Sequence, residues 1–175
     1  MLEIVRMLTL AVVLMPGVGQ ETTRDSVDLR TPCGDPMMVS DGYFQVEARV
    51  LGVVDGQTLE VEREGTVRHV RLSGVHAPVG DAAADEAKRV LGEAVQGKEI
   101  TILVHSLPKA QEPEFSGRVW ARGPVQAEVN QELLRMGVAS YEDTDDLDWW
   151  TECEYKRSEA SAQEARRGIW GSVRR

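Results

Sequence analysis

The 175-residue sequence is short of the features that assign a chain at sight: it has two cysteines, three histidines, no surplus of positive charge and no long apolar run. Each shortage excludes something. The most apolar stretch, Met7 to Met15, is about nine residues, whereas a helix that crosses a bilayer needs roughly 20. A formal charge of -9 argues against unaided adhesion to nucleic acid or anionic lipid and leaves only a local basic patch for such contacts. Cys33 and Cys153, far apart and without histidines beside them, make a poor start for a metal centre. The acidic run YEDTDDLDWWTECE, residues 141–154, lacks the spaced D-x-D-x-D-G order of a calcium loop and reads as a solvated loop leading into a helix. No internal repeat is present.

What is there begins at the N-terminus. Arg6 precedes the apolar run, Pro16 ends it, and small residues follow at Gly17 and Gly19. This is the layout of a signal peptide over residues 1–19, with Glu3 departing from it by cancelling charge in the leading segment. The mature chain is expected to begin near Gln20 and to be secreted or periplasmic, with no membrane association after cleavage. In an exported chain an even cysteine pair is expected to join, here Cys33 to Cys153. Closing a loop of about 120 residues stabilises by about 4–5 kcal/mol on the chain-entropy argument. Residues 20–44 are polar and turn-rich, with no sustained period, and form an N-terminal arm.

Periodic structure starts at Gln45. Val46, Ala48 and Val50 alternate with polar neighbours, Asp55-Gly56 turns the chain, and Leu59 and Val61 alternate again. Glu64-Gly65 makes a second turn into VRHVRLSGV, so three antiparallel strands meander. Ala83, Ala87, Val90, Leu91, Ala94 and Val95 have helical spacing between Asp81 and Gly97. ITILVHS is a fourth strand, LPKAQEPEFSG a loop and RVWARG a fifth strand. AEVNQELLRMG is a second helix, and Trp149 to Arg167 a third, closed by Gly168. The predicted class is α+β, mainly β: a small five-stranded barrel with three helices.

The segments VVDGQTLEV, VRLSGVHAP, SGRVWA, VNQELLRMGVA and EARRGIW, in this order over residues 45–170, resemble the staphylococcal nuclease-like (thermonuclease) domain. The resemblance implies a five-stranded oligonucleotide/oligosaccharide-binding (OB-fold) barrel with three helices, leaving residues 171–175 as a tail. That family hydrolyses phosphodiester bonds in DNA and RNA with one calcium ion, a glutamate that activates or orients water, and two arginines that neutralise charge on the phosphate. Calcium favours six to eight oxygen ligands, and guanidinium forks match phosphate oxygens bidentately.

Residue by residue the match is uneven. Asp55, Gly56 and Thr58 align with the family's D-G-D-T, but Gln57 stands at the calcium aspartate. Arg71 aligns with the first arginine of R-L-x-G-x-D-x-P-E, while His76 replaces the second aspartate and Val79 the catalytic glutamate. Arg118, after Gly117, aligns with the second arginine. Two cations remain and three acids are gone. Neutral Gln57 and the His76 imidazole are poor ligands for a hard cation, and Val79 neither takes a proton nor orients water. Losing a general base alone typically costs roughly 100- to 10,000-fold in rate.

Two functions therefore stand side by side. In the first, the protein is an exported, catalytically inactive nuclease-like module with a two-arginine cradle, Arg71 and Arg118, for a phosphate or other small anion, or for a protein partner; nucleic acid would bind weakly. No cofactor is then expected. In the second, it is a metal-dependent phosphodiesterase with an altered site, using His76 or His69 as base and Asp55, Asp81 or Glu86 as substitute ligands. Arg71 and Arg118 have a plainer use, pairing with Asp55 or other carboxylates at the barrel's edge. His105 has no visible partner. Trp120 and Trp170 read as core or helix-docking residues, and Trp149 and Trp150 as an anchor for the third helix or a protein contact.

Overall fold

The structure, a computed structural model, describes residues 32–34, 42–109, 112–123 and 127–171. The expected signal peptide, most of the arm and all but the first residue of the tail lie outside them. β1 (Phe44–Val53) turns Val46, Ala48 and Val50 inward, as its alternation requires. Its register slips between Val50 and Gly52, a bulge that bends the strand so that it pairs with two different neighbours. β2 (Thr58–Arg63) and β3 (Thr66–Leu72) follow. Their connection, Glu64-Gly65, has φ of 52° and 75°, the pair of positive values that a two-residue hairpin turn needs.

β4 (Val75–His76) is a two-residue strand that pairs with β8 (Ser140–Tyr141). α1 (Ala82–Val95) starts at Asp81, whose carboxylate accepts the Ala83 and Ala84 amides, and buries Ala87, Val90, Leu91 and Val95. β5 (Glu99–Val104) and β6 (Glu114–Ala121) come next. β7 (Ala127–Glu128) leads into α2 (Val129–Met136), which stops at Gly137 in the left-handed conformation. α3 (Trp149–Glu164) is capped by Asp148, and a 3-10 turn at Gly168–Trp170 closes the described chain.

The strands form a closed ring. β2 lies between β1 and β3, β5 between β1 and β6, all antiparallel, and β3 meets β6 in parallel. The result is the expected mixed five-stranded barrel with three helices, mainly β. One boundary differs. Glu114–Gly117, read as loop, belongs to β6 and pairs with His69–Leu72, so the last strand begins four residues earlier than its apolar pattern. These residues gain their structure from backbone bonds across the ring, such as the Ser73 amide to the Gly117 carbonyl at 3.0 Å. Gly117 is the residue that permits the closure, since a Cβ there would lie 2.5 Å from Ile102 Cγ2.

One contiguous apolar cluster fills the barrel and the space beneath the helices, from Val46, Leu59, Val70 and Ile102 to Leu91, Leu133, Leu134 and Tyr155. Buried Asn130 fastens α2 to the ring, donating to the Ser73 and Gly117 carbonyls and accepting the Val119 amide at 2.9 Å. The expected disulfide between Cys33 and Cys153 is present, with Cα atoms 5.8 Å apart, and ties the arm to α3. Among the described residues no helix is long and apolar enough to cross a membrane.

Candidate functional site

The three positions that the sequence alignment expects to match acids of the nuclease family lie on the β1–β2 turn (Gln57), on β4 (His76) and on the chain between β4 and α1 (Val79). Gln57 is held by three bonds. Its amide donates to Asp55 Oδ1 (2.8 Å), its carbonyl accepts the Leu72 amide (2.8 Å), and its side-chain Oε1 accepts the Ala77 amide (2.7 Å). The side chain thus staples the turn to the segment after β4, and its oxygen is already committed. His76 is exposed on β4 opposite Ser140, and Val79 is 85% exposed. A committed amide oxygen, an imidazole and an isopropyl group do not fit calcium, which selects several anionic or carbonyl oxygens at once. Among the described residues no group of three or more His, Cys, Asp or Glu side chains could hold a metal ion.

The proposed substitute ligands are employed separately. Asp55 closes its own turn, Asp81 caps α1, and Glu86 pairs with Arg89. His69 faces Glu60 at 4.0 Å, and His105 meets the edge of the Tyr43 ring at 5.9 Å between centroids. The structure does not bring these groups together.

Arg71 leaves β3 on its outward face and reaches Glu142, just past β8, at 2.7 Å; both side chains are more than a third exposed. Arg118 is on the neighbouring strand, two residues beyond Ser116, the register partner of Arg71, and so shares its face. Its surroundings are otherwise. The side chain is 9% exposed and grips Glu128, where β7 meets α2, through Nε and Nη2 at 2.9 and 3.0 Å. Asp148 Oδ2 is 3.6 Å from Nη1, the guanidinium sits 4.8 Å from the Trp120 ring centre, and the Tyr43 ring lies 5.6 Å away. The pairing with carboxylates expected as the plainer use is therefore what the arginines do, with Glu142 and Glu128 as partners instead of Asp55.

This second arginine is the hub of a polar network. Tyr155, fully buried on α3, donates its hydroxyl to Glu128 Oε1. The Tyr43 hydroxyl accepts the Asp148 amide at 2.9 Å and has the Asp148 carboxylate and the Asp146 carbonyl, each at 3.1 Å, as acceptors. Burial opposes the charge on Arg118, but the hydrogen bonds and charge of Glu128 outweigh it and hold the guanidinium above its ordinary pKa. Asp148 is desolvated too, yet bonds from the Thr151 amide and hydroxyl, from Tyr43 and the charge of Arg118 keep its carboxyl below the usual range. Desolvation, reinforced by Asp148, pushes Tyr43 up to about 12.

The acidic run is accordingly more than a solvated loop. Glu142 takes Arg71, Asp146 accepts from Ser73 and Thr144, and Asp148 caps α3 while facing Arg118. Sequence reasoning missed Glu128, Glu142, Tyr43 and Tyr155: Glu128 meets Arg118 across the β6–β7 pairing, Glu142 meets Arg71 just past β8, and the two tyrosines join through Glu128 and Asp148. Of the tryptophans, Trp149 is 53% exposed beside Gly34, while Trp120 and Trp150 line one cleft of about 470 Å³ with Arg118, Arg135 and Gln131. Trp170 sits against Gly137.

The comparisons agree with this architecture. Residues 69–172 match the sequence model of the family described as Staphylococcal nuclease homologue. A relative from the fungus Colletotrichum graminicola, named "Probable endonuclease LCL3", is 30% identical over 123 residues, which is 65% of this chain and 44% of the relative. The chain thus spans under half of that protein. With the barrel ring, the three helices and the family match in accord, the chain belongs to the staphylococcal nuclease homologue family.

Proposed function

We propose that this domain is an exported binding module that does not perform calcium-assisted hydrolysis, and that Arg71 is its accessible contact for an anionic ligand. The observation that carries this reading is the Gln57 staple: where the family resemblance expects a calcium aspartate, the side-chain oxygen is already bonded to the Ala77 amide. Val79, at the family's glutamate position, has no group to activate water. Arg118 is neutralised by Glu128 and shielded by Trp120, which reduces the expected two-arginine cradle to Arg71 and its exposed, weak pairing with Glu142. The Cys33–Cys153 bond is of the kind that persists in oxidising compartments and supports export.

A second reading, a metal-dependent phosphodiesterase, draws on the printed name of the fungal relative and on Glu142, a carboxylate beside Arg71. One assay separates the two. Single-stranded DNA and RNA are incubated with the oxidised protein and calcium, then magnesium and manganese, with Arg71→Ala purified in parallel. No cleavage above the Arg71→Ala background is expected; metal-dependent cleavage that the substitution abolishes would establish the second reading.

A further inference from the structure

Beside the Gln57 staple is a cleft of about 230 Å³ between the β1–β2 turn, the chain after β4 and the first turns of α1. Its apolar wall is Val54, Ala77, Pro78 and Val79, and its polar rim is Asp55, Asp85 and Lys88. Val79 is 85% and Val54 43% exposed. Two water-facing valines on one concave feature differ from apolar residues scattered singly over a surface.

The β1–β2 turn and Ala77 are held in place before any ligand arrives. Gln57 bonds the turn to Ala77, and Gly56 is seated so closely on α1 that a Cβ there would lie 2.7 Å from both the Ala77 and Ala87 Cβ atoms. A preformed cleft loses little ordering entropy on binding. At this volume it is too small for most organic ligands, whose pockets run to roughly 300–1,000 Å³, and suits one aliphatic side chain. The rim selects the charge around that side chain. Asp55 and Asp85 are both exposed and outnumber Lys88, in a chain that carries -9 overall, so a phosphate-bearing ligand is repelled here and a cationic one attracted.

We propose that this cleft is a docking site for a basic peptide segment of a partner protein, with a leucine-sized side chain held against Val54, Pro78 and Val79 and a flanking lysine or arginine facing Asp55 and Asp85. The proposal rests on the reading of the domain as a binding module and adds to it a second contact, separate from Arg71 and of opposite charge preference.

The test is a nitrogen-15 NMR titration of the full oxidised chain with three blocked tripeptides, Lys-Leu-Lys, Lys-Ala-Lys and Glu-Leu-Glu. The amides of Val54, Gly56, Gln57, Ala77 and Val79 are expected to shift with Lys-Leu-Lys at an affinity about tenfold above that of either control. Val79→Asp, at an exposed position, should abolish these shifts and leave the remaining spectrum in place; Asp85→Lys should weaken binding by about tenfold. Silence of these amides, or equal shifts with Glu-Leu-Glu, overturns the proposal. Metal-dependent nuclease activity would instead overturn the binding-module reading, through a different assay and different residues.

Discussion

Arg118 makes two of its N–H bonds to one carboxylate, and that carboxylate also accepts from a buried tyrosine. Breaking one side of such a pair leaves the other buried without compensation, at a cost of about 3–5 kcal/mol, whereas replacing both by apolar groups is often close to neutral. Arg118→Ala is therefore expected to lower the urea midpoint by more than Glu128→Leu/Arg118→Met does, since the double variant also removes the Glu128 carboxylate that the single one leaves buried without its partner. Arg71→Ala removes an exposed pair, for which about 0–1 kcal/mol is usual, and should leave the midpoint almost unmoved. Urea unfolding followed by tryptophan fluorescence measures all three. Equal losses for Arg71→Ala and Arg118→Ala would contradict the division into an accessible and a structural arginine. The roles of the two residues were not legible from their motifs. R-L-x-G and G-R fix where the arginines sit on β3 and β6, but Glu142 and Glu128 are brought to them by β8 and by the start of α2.

At the scale of elements, the arm, α3 and the barrel wall meet around tyrosines. Tyr43 ends the arm, Tyr155 lies inside α3 and Tyr141 is on β8, and burial, as the largest cause in each case, raises all three pKa values. A pKa raised on folding contributes stability that is complete below the unfolded value near 10 and is lost as pH rises through the folded value, about 12 for Tyr43. Spectrophotometric titration at alkaline pH is expected to find no tyrosine ionising near pH 10 in the native protein, with ionisation and loss of structure arriving together at higher pH. Tyr43→Phe should retain more of its stability between pH 10 and about 12. A tyrosine that titrates freely near pH 10 in the folded state would refute this packing of the arm. The elements themselves were largely readable, since β1, β2 and α1 carry their periods openly. Glu114–Ser116 was not, because its order comes from the parallel pairing with β3 and not from apolar alternation.

For the whole molecule, the barrel is intact while the side-chain oxygen of Gln57, the residue that the alignment expects at a calcium aspartate, is spent on a hydrogen bond within the protein. Turn, strand and following loop are joined by Gln57 without a metal, so fold and cleft are expected to be independent of calcium. That residues 57, 76 and 79 are not acids was visible in the sequence; that Gln57 does the joining was not, because the Ala77 amide reaches it only in three dimensions. The most direct measurement is calorimetric titration of the oxidised, full-length protein with calcium up to about 10 mM, beyond the roughly 10⁻⁴–10⁻³ M dissociation constants of weak extracellular calcium modules. The expected result is dilution heat alone, with the same melting temperature in calcium and in chelator; saturable binding of one ion per chain would contradict the account.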